Sequence, residues 1–268
     1  MTTILHLSDP HFGTDQPVVV VALRELVRSL SPELLILSGD ITQRARASQF
    51  AAAAAFMRDL KVPHLVSTPG NHDIPLFDIA RRVFAPYARY SAHFGGDLEP
   101  SFRASDCVVF SVNTTRPRRH VDGEISKAQC ERVAEELRCA DPGQLRLVVL
   151  HHPVATPRLS ELVNVAYGSG AAIRAWSAAG ADLVLAGHIH LPFVVALHQT
   201  MAPLPKPFWA VNAGTSLSWR TRHDAGNSVN VIRTVDGQPR VCILEHWTFH
   251  ATKGAFLRTA EMRLVTSP

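Results

Sequence analysis

The sequence predicts a layered α/β fold, and three features of its 268 residues support that prediction. Short apolar runs alternate with helical patterns through the first two-thirds of the chain. After residue 190 the pattern becomes strand-like only. The composition, 46% hydrophobic and 19% charged, supplies enough apolar residues for a large core and argues against disorder.

The first elements follow from local pattern. An apolar run predicts a strand at 3–7, and similar runs predict strands at 33–38 and 63–67. Because proline suits the first helical turn, a helix is expected from Pro17. Its apolar residues recur at spacings of 3, 4 and 3 on one face: Val20, Leu23, Val27 and Leu30. Segment 46–60 is rich in strong helix formers and predicts a second helix.

The remaining elements follow the same rules. They are, in order, a helical excursion at 74–100, a hairpin at 102–112, a helix at 126–139, a strand at 145–150, a helix around 173–179, a strand at 182–187, and four strand-like segments at 193–197, 208–212, 228–235 and 240–247. The last two segments flank Asp236 and Gly237, a strong hairpin signal. With no internal repeat or linker, we expect a single domain over 1–268.

Composition narrows the classes of partner. A net charge of +4 suits a small anionic substrate, and without a clustered basic stripe we expect no nucleic-acid polymer as partner. The four cysteines form no C-x-x-C pair and are interpreted as reduced packing residues. The N-terminus lacks a signal-peptide pattern, and no apolar run is long enough to span a bilayer. We therefore expect a cytoplasmic protein with no membrane span.

Polar side chains follow five of the expected strands, at the point where each strand ends. They are Asp9, His11, Asp40, Asn71, His151, His188 and His190, with His72, Asp73 and His152 close by. Each residue alone is commonly a turn, capping or satisfied surface residue. In an open α/β sheet, however, the carboxyl ends of the strands face one crevice where ligands bind. Five such coincidences therefore predict one functional site.

The residue types indicate a metal site. Mixed oxygen and nitrogen ligands without a thiolate suit Mn²⁺, iron or Zn²⁺. Seven ligands exceed one tetrahedral shell and match two ions that share a bridging carboxylate. Asp40 stands alone in its loop and is the natural bridge, whereas Asp9 and His11 point the same way to hold one ion.

Five short segments carry a resemblance to a known family. They are "DPH" at 9–11, "GD" at 39–40, "GNHD" at 70–73, "HHP" at 151–153 and "GHIH" at 187–190. In this order they resemble the calcineurin-like metallophosphoesterase superfamily. Each segment is a weak signal alone, and the five together are very specific.

The resemblance implies a fold and a ligand assignment. The fold is a four-layer αββα sandwich of two mixed β-sheets flanked by helices, with the β segment 191–268 completing the second sheet. Asp9, His11 and His190 would hold the first ion, and Asn71, His151 and His188 the second. Asp40 would bridge the two ions. His72 would be the catalytic residue, as transition-state stabiliser or as acid to the leaving group.

The resemblance also implies a reaction, in which a water or hydroxide between two divalent ions attacks phosphorus in line. Within the superfamily the chain most resembles the bacterial cyclic-nucleotide phosphodiesterase branch. The segments "GDITQ", "VDGEIS" at 121–126 and "NAGTS" at 212–216 carry that likeness. Because the branch also acts on other phosphodiesters, a 3′,5′-cyclic nucleotide is one candidate substrate among several.

Two other classes of function stay open. A phosphomonoesterase, or a nucleotide pyrophosphatase acting on a sugar- or lipid-linked nucleotide, would use the same ligands and differ in its pocket walls. A non-catalytic binding module on this fold should have lost ligands or the G-N-H histidine, whereas this chain keeps them all. The sequence leaves a homo-oligomer open.

Weaker features concern the substrate. Two basic clusters, Arg116–Arg118–Arg119–His120 and Arg220–Arg222–His223, are placed to rim the crevice, although two solvated loops would look the same. The candidate substrate contacts are His93, Asn113, Arg119 and Arg222. A turn or capping role for Asn113 and His93 stays open. The aromatic C-terminal segment 246–262 has three possible roles that the sequence does not decide between: a final strand, a cover over the site or a dimer contact.

Overall fold

The computed structural model describes residues 1–200, 203–222 and 224–266. Its strands form two six-stranded mixed sheets, and helices pack on the outer face of each sheet. The predicted four-layer αββα sandwich is therefore confirmed. His223, from the second basic cluster, lies outside the described residues.

The described residues form twelve strands. They are β1 (Thr3–Leu7), β2 (Leu34–Ser38), β3 (His64–Thr68), β4 (Ser101–Arg103), β5 (Cys107–Val112), β6 (Leu145–Leu150), β7 (Leu183–Ala186), β8 (Pro192–Ala196), β9 (Trp209–Ala213), β10 (Ser228–Val235), β11 (Gln238–His250) and β12 (Ala255–Val265).

In the described part of the chain, seven α-helices and two short 3₁₀ helices accompany the strands. The α-helices are α1 (Pro17–Leu30), α2 (Ala47–Asp59), α3 (Ile79–Phe84), α4 (Ala88–Phe94), α5 (Lys127–Arg138), α6 (Ser169–Ala179) and α7 (Leu197–Thr200), and the 3₁₀ helices are Asn71–Asp73 and Leu159–Asn164. The predicted excursion at 74–100 therefore contains two helices, and the helix predicted around 173–179 begins earlier, at Ser169. Among the described residues, no helix combines the length and the apolar character needed to cross a bilayer.

The first sheet has the order β12-β11-β10-β1-β2-β3. Strands β1, β2 and β3 run parallel, and β10 pairs antiparallel with the free edge of β1 from Thr3↔Arg233 to His6↔Asn230. Strands β10 to β12 form an antiparallel meander. The central parallel strands β1 and β2 are buried on both faces, which explains their continuous apolar runs.

The second sheet has the order β4-β5-β6-β7-β9-β8. Strands β5, β6, β7 and β9 run parallel, and β4 and β8 are antiparallel edge strands. The expectation that the whole segment 191–268 completes this sheet is therefore correct only for β8 and β9. Strands β10 to β12 extend the first sheet instead, because the edge of β1 opposite β2 is free to accept β10.

Three apolar clusters hold the layers together. The cluster between the sheets includes Ile4, Ile36, Val109, Leu147 and Leu185, all fully buried. A second cluster packs α1, α2 and α4 on the first sheet, and a third packs α5 and α6 on the second sheet. The two sheets are therefore fixed face to face by side chains from both.

A buried ion pair also joins the sheets. Arg240 of β11 in the first sheet donates to Asp182, which directly precedes β7 in the second. Both side chains are buried, and burial raises the pKa of Asp182 despite the opposing charge of Arg240. The backbone N–H of Arg146 also donates to Asp182, at 2.9 Å. The pair fixes one sheet relative to the other.

Replacing Arg240 by leucine is expected to destabilise the protein by about 3–5 kcal/mol, because it removes the direct partner of the buried Asp182 carboxylate and leaves only Lys206, 3.8 Å away, as a nearby cation. Urea denaturation measures the free energy of unfolding. The control is Arg138→Leu, which removes an exposed pair with Glu135 and should cost less than about 1 kcal/mol. Equal losses for the two variants would contradict a special role for the buried pair.

Candidate metal centre

The loops after the strands have unusual backbone geometry. Nine non-glycine residues among those described have positive φ, and five of the nine are predicted metal ligands: Asp9 (50°), His11 (45°), Asp40 (49°), His188 (69°) and His190 (51°). Positive φ is uncommon for residues other than glycine, although Asp and His tolerate it better than most. Because such strain clusters at functional sites, the backbone itself marks these strand ends.

Glycines permit the loops to approach each other closely. A Cβ atom on Gly70 would lie 2.1 Å from the backbone nitrogen of Asp40. A Cβ atom on Gly187 would lie 1.7 Å from Ser8 Oγ and 2.3 Å from Asp9 Oδ2. Both contacts are too short for any real side chain, so the residue before Asn71 and the residue before His188 must be glycine.

The first group of candidate ligands is Asp9, His11, Asp40 and His190. One potential ligand atom from each lies within 4.8 Å of the others. Asp9 Oδ1 lies 3.2 Å from His190 Nε2 and 3.7 Å from His11 Nε2. The two Nε2 atoms are 2.9 Å apart. The four side chains therefore converge on one point.

Hydrogen bonds orient this group. His190 Nδ1 donates to the carbonyl oxygen of Arg220 at 2.6 Å, which directs Nε2 into the site. Asp9 Oδ2 accepts from Ser8 Oγ at 2.6 Å and from the His188 backbone at 2.9 Å. The Asp9 Oδ1 atom is thus the oxygen left facing the ligands.

The second group lies beside the first. His151 Nε2 is 3.2 Å from Asn71 Oδ1 and 3.3 Å from Asp40 Oδ1. His151 Nδ1 donates to the carbonyl oxygen of Ser38 at 2.8 Å, which fixes the ring. The ring of His188 packs edge-on against His151, with centroids 5.2 Å apart. The predicted second ligand set therefore comes together.

His152 also lies near His151 and His188. Both of its ring nitrogens are already used, however. Nδ1 is 2.7 Å from Thr114 Oγ1, and Nε2 donates to the carbonyl oxygen of Val121 at 2.8 Å. His152 therefore packs behind the ligands, and the amide oxygen of Asn71 is the better third donor of this group.

Asp40 faces both groups at once. Its Oδ1 lies 3.3 Å from His151 Nε2, and its Oδ2 lies 3.7 Å from His11 Nε2. The backbone N–H of His72 donates to Oδ1 at 2.8 Å and holds the carboxylate in place. This orientation is the one that a carboxylate shared between two ions requires.

Buried polar atoms test whether the site suits cations. Asp9 Oδ1 is buried and accepts no well-formed hydrogen bond from the described residues, although His190 Nε2 is 3.2 Å away. A buried carboxylate oxygen without a donor is costly, and a cation would remove that cost. The oxygen and nitrogen donors suit a hard or borderline divalent ion. The residues present therefore fit the metal ions that the resemblance implies.

Charge sets the protonation of the ligands. Burial would raise the pKa of Asp9, but the charges of His190 and His151 outweigh it and lower the pKa to about 2. Burial likewise opposes ionisation of Asp40, whose pKa His151 and His72 hold well below its usual value. Burial lowers the pKa of both His11 and His188 to about 3. Ionised carboxylates and neutral imidazoles are the forms that bind metal.

His151 behaves differently because it faces a carboxylate. Burial alone would lower its pKa, but the charge of Asp40 and their hydrogen bond raise it to about 9. The pKa of His190 is raised for the same kind of reason, since Asp9 outweighs burial. Metal binding would replace the protons on these two rings.

A cavity of about 550 Å³ opens over the two groups. Its lining includes the predicted site residues Asp40, Asn71, His72, His188, His190 and Arg222. It also includes His120 and Arg220 from the two basic clusters, and Glu161, Asn164 and Trp219. The cavity is therefore basic and aromatic on one side and metal-ligating on the other.

His72 and Arg220 lie side by side at this cavity. His72 Nδ1 donates to the carbonyl oxygen of Gln43 at 2.9 Å, which leaves Nε2 as the free ring atom. One Arg220 nitrogen lies 3.4 Å from His72 Nε2 and donates to Gln43 Oε1 at 3.0 Å. An anion in the cavity would meet both side chains.

The four predicted substrate contacts divide into one at the cavity and three outside its lining. Arg222 lines the cavity, where it donates to Glu161 Oε1 at 2.6 Å and to the carbonyl oxygen of Ile189 at 3.1 Å. His93 stacks on Phe50 in the helical layer, with ring centroids 6.0 Å apart.

Asn113 and Arg119 make contacts within the chain. The Asn113 side chain accepts from Thr115 Oγ1 at 2.7 Å and from the Thr115 backbone at 3.0 Å, which is a turn-stabilising role. Arg119 lies 3.2 Å from Glu124 and 4.5 Å over the ring of Tyr167. The substrate role of these three residues stays a prediction, and their observed contacts are structural.

Sequence reasoning missed Glu161, Asn164 and Trp219. Glu161 fixes Arg222, and Asn164 donates to Glu161 Oε2 at 2.8 Å. These residues follow no strand, and Glu161 and Asn164 lie on a short 3₁₀ helix. The only sequence signal for this segment is the run of apolar residues within 159–167, which is unusual for a loop and could have indicated a functional role.

Comparisons with known proteins identify the family and the fold. The profile of a family described as calcineurin-like phosphoesterase matches residues 2–192. A Synechococcus protein named "Probable cyclic nucleotide phosphodiesterase" is 24% identical over 172 residues. That match covers 63% of this chain and 62% of the relative, so the chain spans less than two-thirds of the relative's length.

Solved structures share the fold. A dimetal phosphatase from Danio rerio superposes with a TM-score of 0.70 at 12% identity, covering 99% of both chains. A purple acid phosphatase from yellow lupin seeds gives a TM-score of 0.71 at 12% identity, covering 98% of this chain and 53% of its own. Vps29 from Chaetomium thermophilum gives 0.51 at 11% identity, with 99% and 98% covered.

Substitution of Asp40 by asparagine is expected to lower the content of both ions, because its two oxygens face both ligand groups. After loading with Mn²⁺ and gel filtration, elemental analysis should find two ions per wild-type chain. His190→Gln should lose mainly one ion. The control is His250→Gln, an exposed histidine at the end of β11, which should keep both. Two ions retained by Asp40→Asn would contradict the bridging assignment.

Proposed function

The chain belongs to the calcineurin-like phosphoesterase family, and we propose that it is a phosphodiesterase that hydrolyses a small phosphodiester with the help of two divalent metal ions. The family acts on phosphate esters as a class of hydrolases. The observation that carries the finer proposal is the convergence of two ligand groups on the two oxygens of Asp40, at the floor of the cavity.

The distances support the ligand assignment. Asp9, His11 and His190 would hold one ion, and Asn71, His151 and His188 the other, with Asp40 shared between them. When bound, such ions neutralise charge on phosphoryl oxygens and lower the pKa of bound water. The oxygen and nitrogen donors admit Mn²⁺, iron or Zn²⁺.

Two side chains of the cavity act on the substrate. The Arg220 guanidinium presents positive charge to the phosphoryl oxygens, where arginine gives strong, directed hydrogen bonds. His72 Nε2 is the ring atom turned toward Arg220, because Nδ1 is held by Gln43. We infer that His72 in its imidazolium form gives its Nε2 proton to the leaving oxygen, while Nδ1–H stays donated to the Gln43 carbonyl oxygen and keeps the ring in register.

The cavity supports a small substrate. A volume of about 550 Å³ lies in the range of small-molecule sites. Trp219, at the edge of the cavity, offers an exposed aromatic face on which a base can stack. The printed name of the Synechococcus relative supports a cyclic nucleotide as the first substrate to test.

The test compares hydrolysis of bis(p-nitrophenyl) phosphate and p-nitrophenyl phosphate by chelator-stripped protein, with and without added Mn²⁺. We expect Mn²⁺-dependent cleavage that favours the diester, since two ions and Arg220 together accommodate a phosphodiester. Cyclic nucleotides would then be tested in the same assay. A preference for the monoester would contradict the proposal and indicate that the enzyme is a phosphomonoesterase.

The variant His72→Ala should retain both metal ions and turn over the diester about 10²–10⁴-fold more slowly, because it removes the proton donor. The readouts are kcat and metal content. The control variant is His250→Ala on β11, whose kcat should equal that of the wild type. An unchanged kcat for His72→Ala would remove this residue from the mechanism.

A further inference from the structure

Three segments contribute to the cavity lining, 114–124, 156–167 and 218–222, and a fourth, 76–84, contacts 114–124 beside the cavity. We call them together the rim. They contact one another: Arg82 donates to the carbonyl oxygen of Arg119 at 2.8 Å, and Arg119 lies over Tyr167. Val121 and Trp219 belong to both the rim and the cavity lining. The rim is therefore one continuous surface around the mouth.

The first part of the rim exposes large apolar side chains. Segment 76–84 contains α3, none of whose residues is buried. Phe77 is 81% exposed and Phe84 is 86% exposed, and Ile79 and Val83 are exposed beside them. A folded chain has no structural reason to leave two phenylalanines and two aliphatic residues in water.

The second part of the rim repeats this pattern. Segment 156–167 exposes Leu159, Leu162, Val163 and Tyr167. Ten of the sixteen exposed large apolar residues in the described part of the chain lie in the rim. They include every exposed Phe, Tyr and Trp of that part, namely Phe77, Phe84, Tyr167 and Trp219. The apolar exposure is thus concentrated in the rim segments.

The rim is also basic. It holds eight arginines against four acidic residues, a net charge of +4 that equals the net charge of the whole chain. Several of these arginines pair locally, for example Arg81 with Asp78, and Asp224, just beyond the rim, pairs with Arg158 and Arg222. With Asp224 included, the net charge of this surface is +3, which is most of the net charge of the chain.

We propose that the rim docks on the surface of an anionic lipid bilayer, with the cavity mouth turned toward the headgroups. Exposed apolar and aromatic side chains interspersed with arginine are typical of interfacial membrane binding. The excess positive charge is complementary to anionic headgroups. A nucleic acid or an acidic protein surface would satisfy the arginines but leave Ile79, Val83 and Leu162 in water. Docking of this kind requires no membrane-spanning helix.

Vesicle co-sedimentation tests the proposal with the full chain. We expect the protein to pellet with vesicles that contain phosphatidylglycerol and to stay in solution with phosphatidylcholine alone. Added salt should weaken the binding, because the electrostatic part is screened. Absence of binding to phosphatidylglycerol vesicles at low salt would overturn the proposal.

The double variant Phe77→Ser/Phe84→Ser should bind these vesicles about ten-fold less or weaker still, because two apolar anchors are removed. The matched control is Val18→Ser/Val21→Ser, which removes two exposed apolar residues from α1 on another face. Both variants should hydrolyse bis(p-nitrophenyl) phosphate normally without vesicles. That readout separates a failure of docking from a failure of the proposed function. Equal binding of wild type and Phe77→Ser/Phe84→Ser would contradict docking through the rim.

Two further measurements settle the orientation and the alternative occupant. Lipids with brominated acyl chains should quench tryptophan fluorescence in the wild type and not in Trp219→Phe; quenching that persists would place another face on the bilayer. Sedimentation velocity without vesicles should give the same species for wild type and Phe77→Ser/Phe84→Ser. A wild-type dimer that this variant dissociates would assign the rim to a second copy of the chain and overturn the proposal.

Discussion

The structure depends on one constraint, the burial of two carboxylates where the two sheets meet. Asp9 and Asp40 follow neighbouring strands of the first sheet, and both are almost inaccessible to water. A buried charge is costly unless it is paired, so imidazoles from the second sheet lie against the carboxylates, and divalent cations would complete the pairing. The His188 N–H that donates to Asp9 and the His151 ring beside Asp40 are the contacts that meet this requirement. The same contacts therefore set the spacing of the two sheets and assemble the candidate metal centre.

Meeting this constraint imposes costs on the loops. Asp9, Asp40 and His188 adopt left-handed backbone, and Gly70 and Gly187 must lack a side chain for the loops to approach. Such strain persists only where the surrounding structure holds it, here through the inter-sheet core and the Asp182–Arg240 pair. The loops above these strained strand ends carry Arg220, Glu161 and Trp219, which line the cavity. On the proposed function, the metal ligands lie at the strand ends and the residues that would meet the substrate lie on the loops.

The sequence predicts the floor of the site better than its walls, for a physical reason. Asp9, Asp40 and His151 come directly after apolar runs, so their shared position follows from the strand pattern alone. Glu161 reaches Arg222 across 61 residues, a contact that no local period encodes. Asn113 also follows a strand, but its short side chain turns back to Thr115, which the pattern does not reveal. Strands β10 to β12 joined the first sheet because of a free edge on β1, a property of the assembled sheet and not of their own residues.

An anomalous-difference map from crystals of the Mn²⁺-loaded protein would locate the metal ions. We expect two peaks, one among Asp9, His11 and His190 and one among Asn71, His151 and His188, each within bonding distance of an Asp40 oxygen. A single peak, or a second peak that Asp40 does not contact, would contradict a centre built around a shared carboxylate.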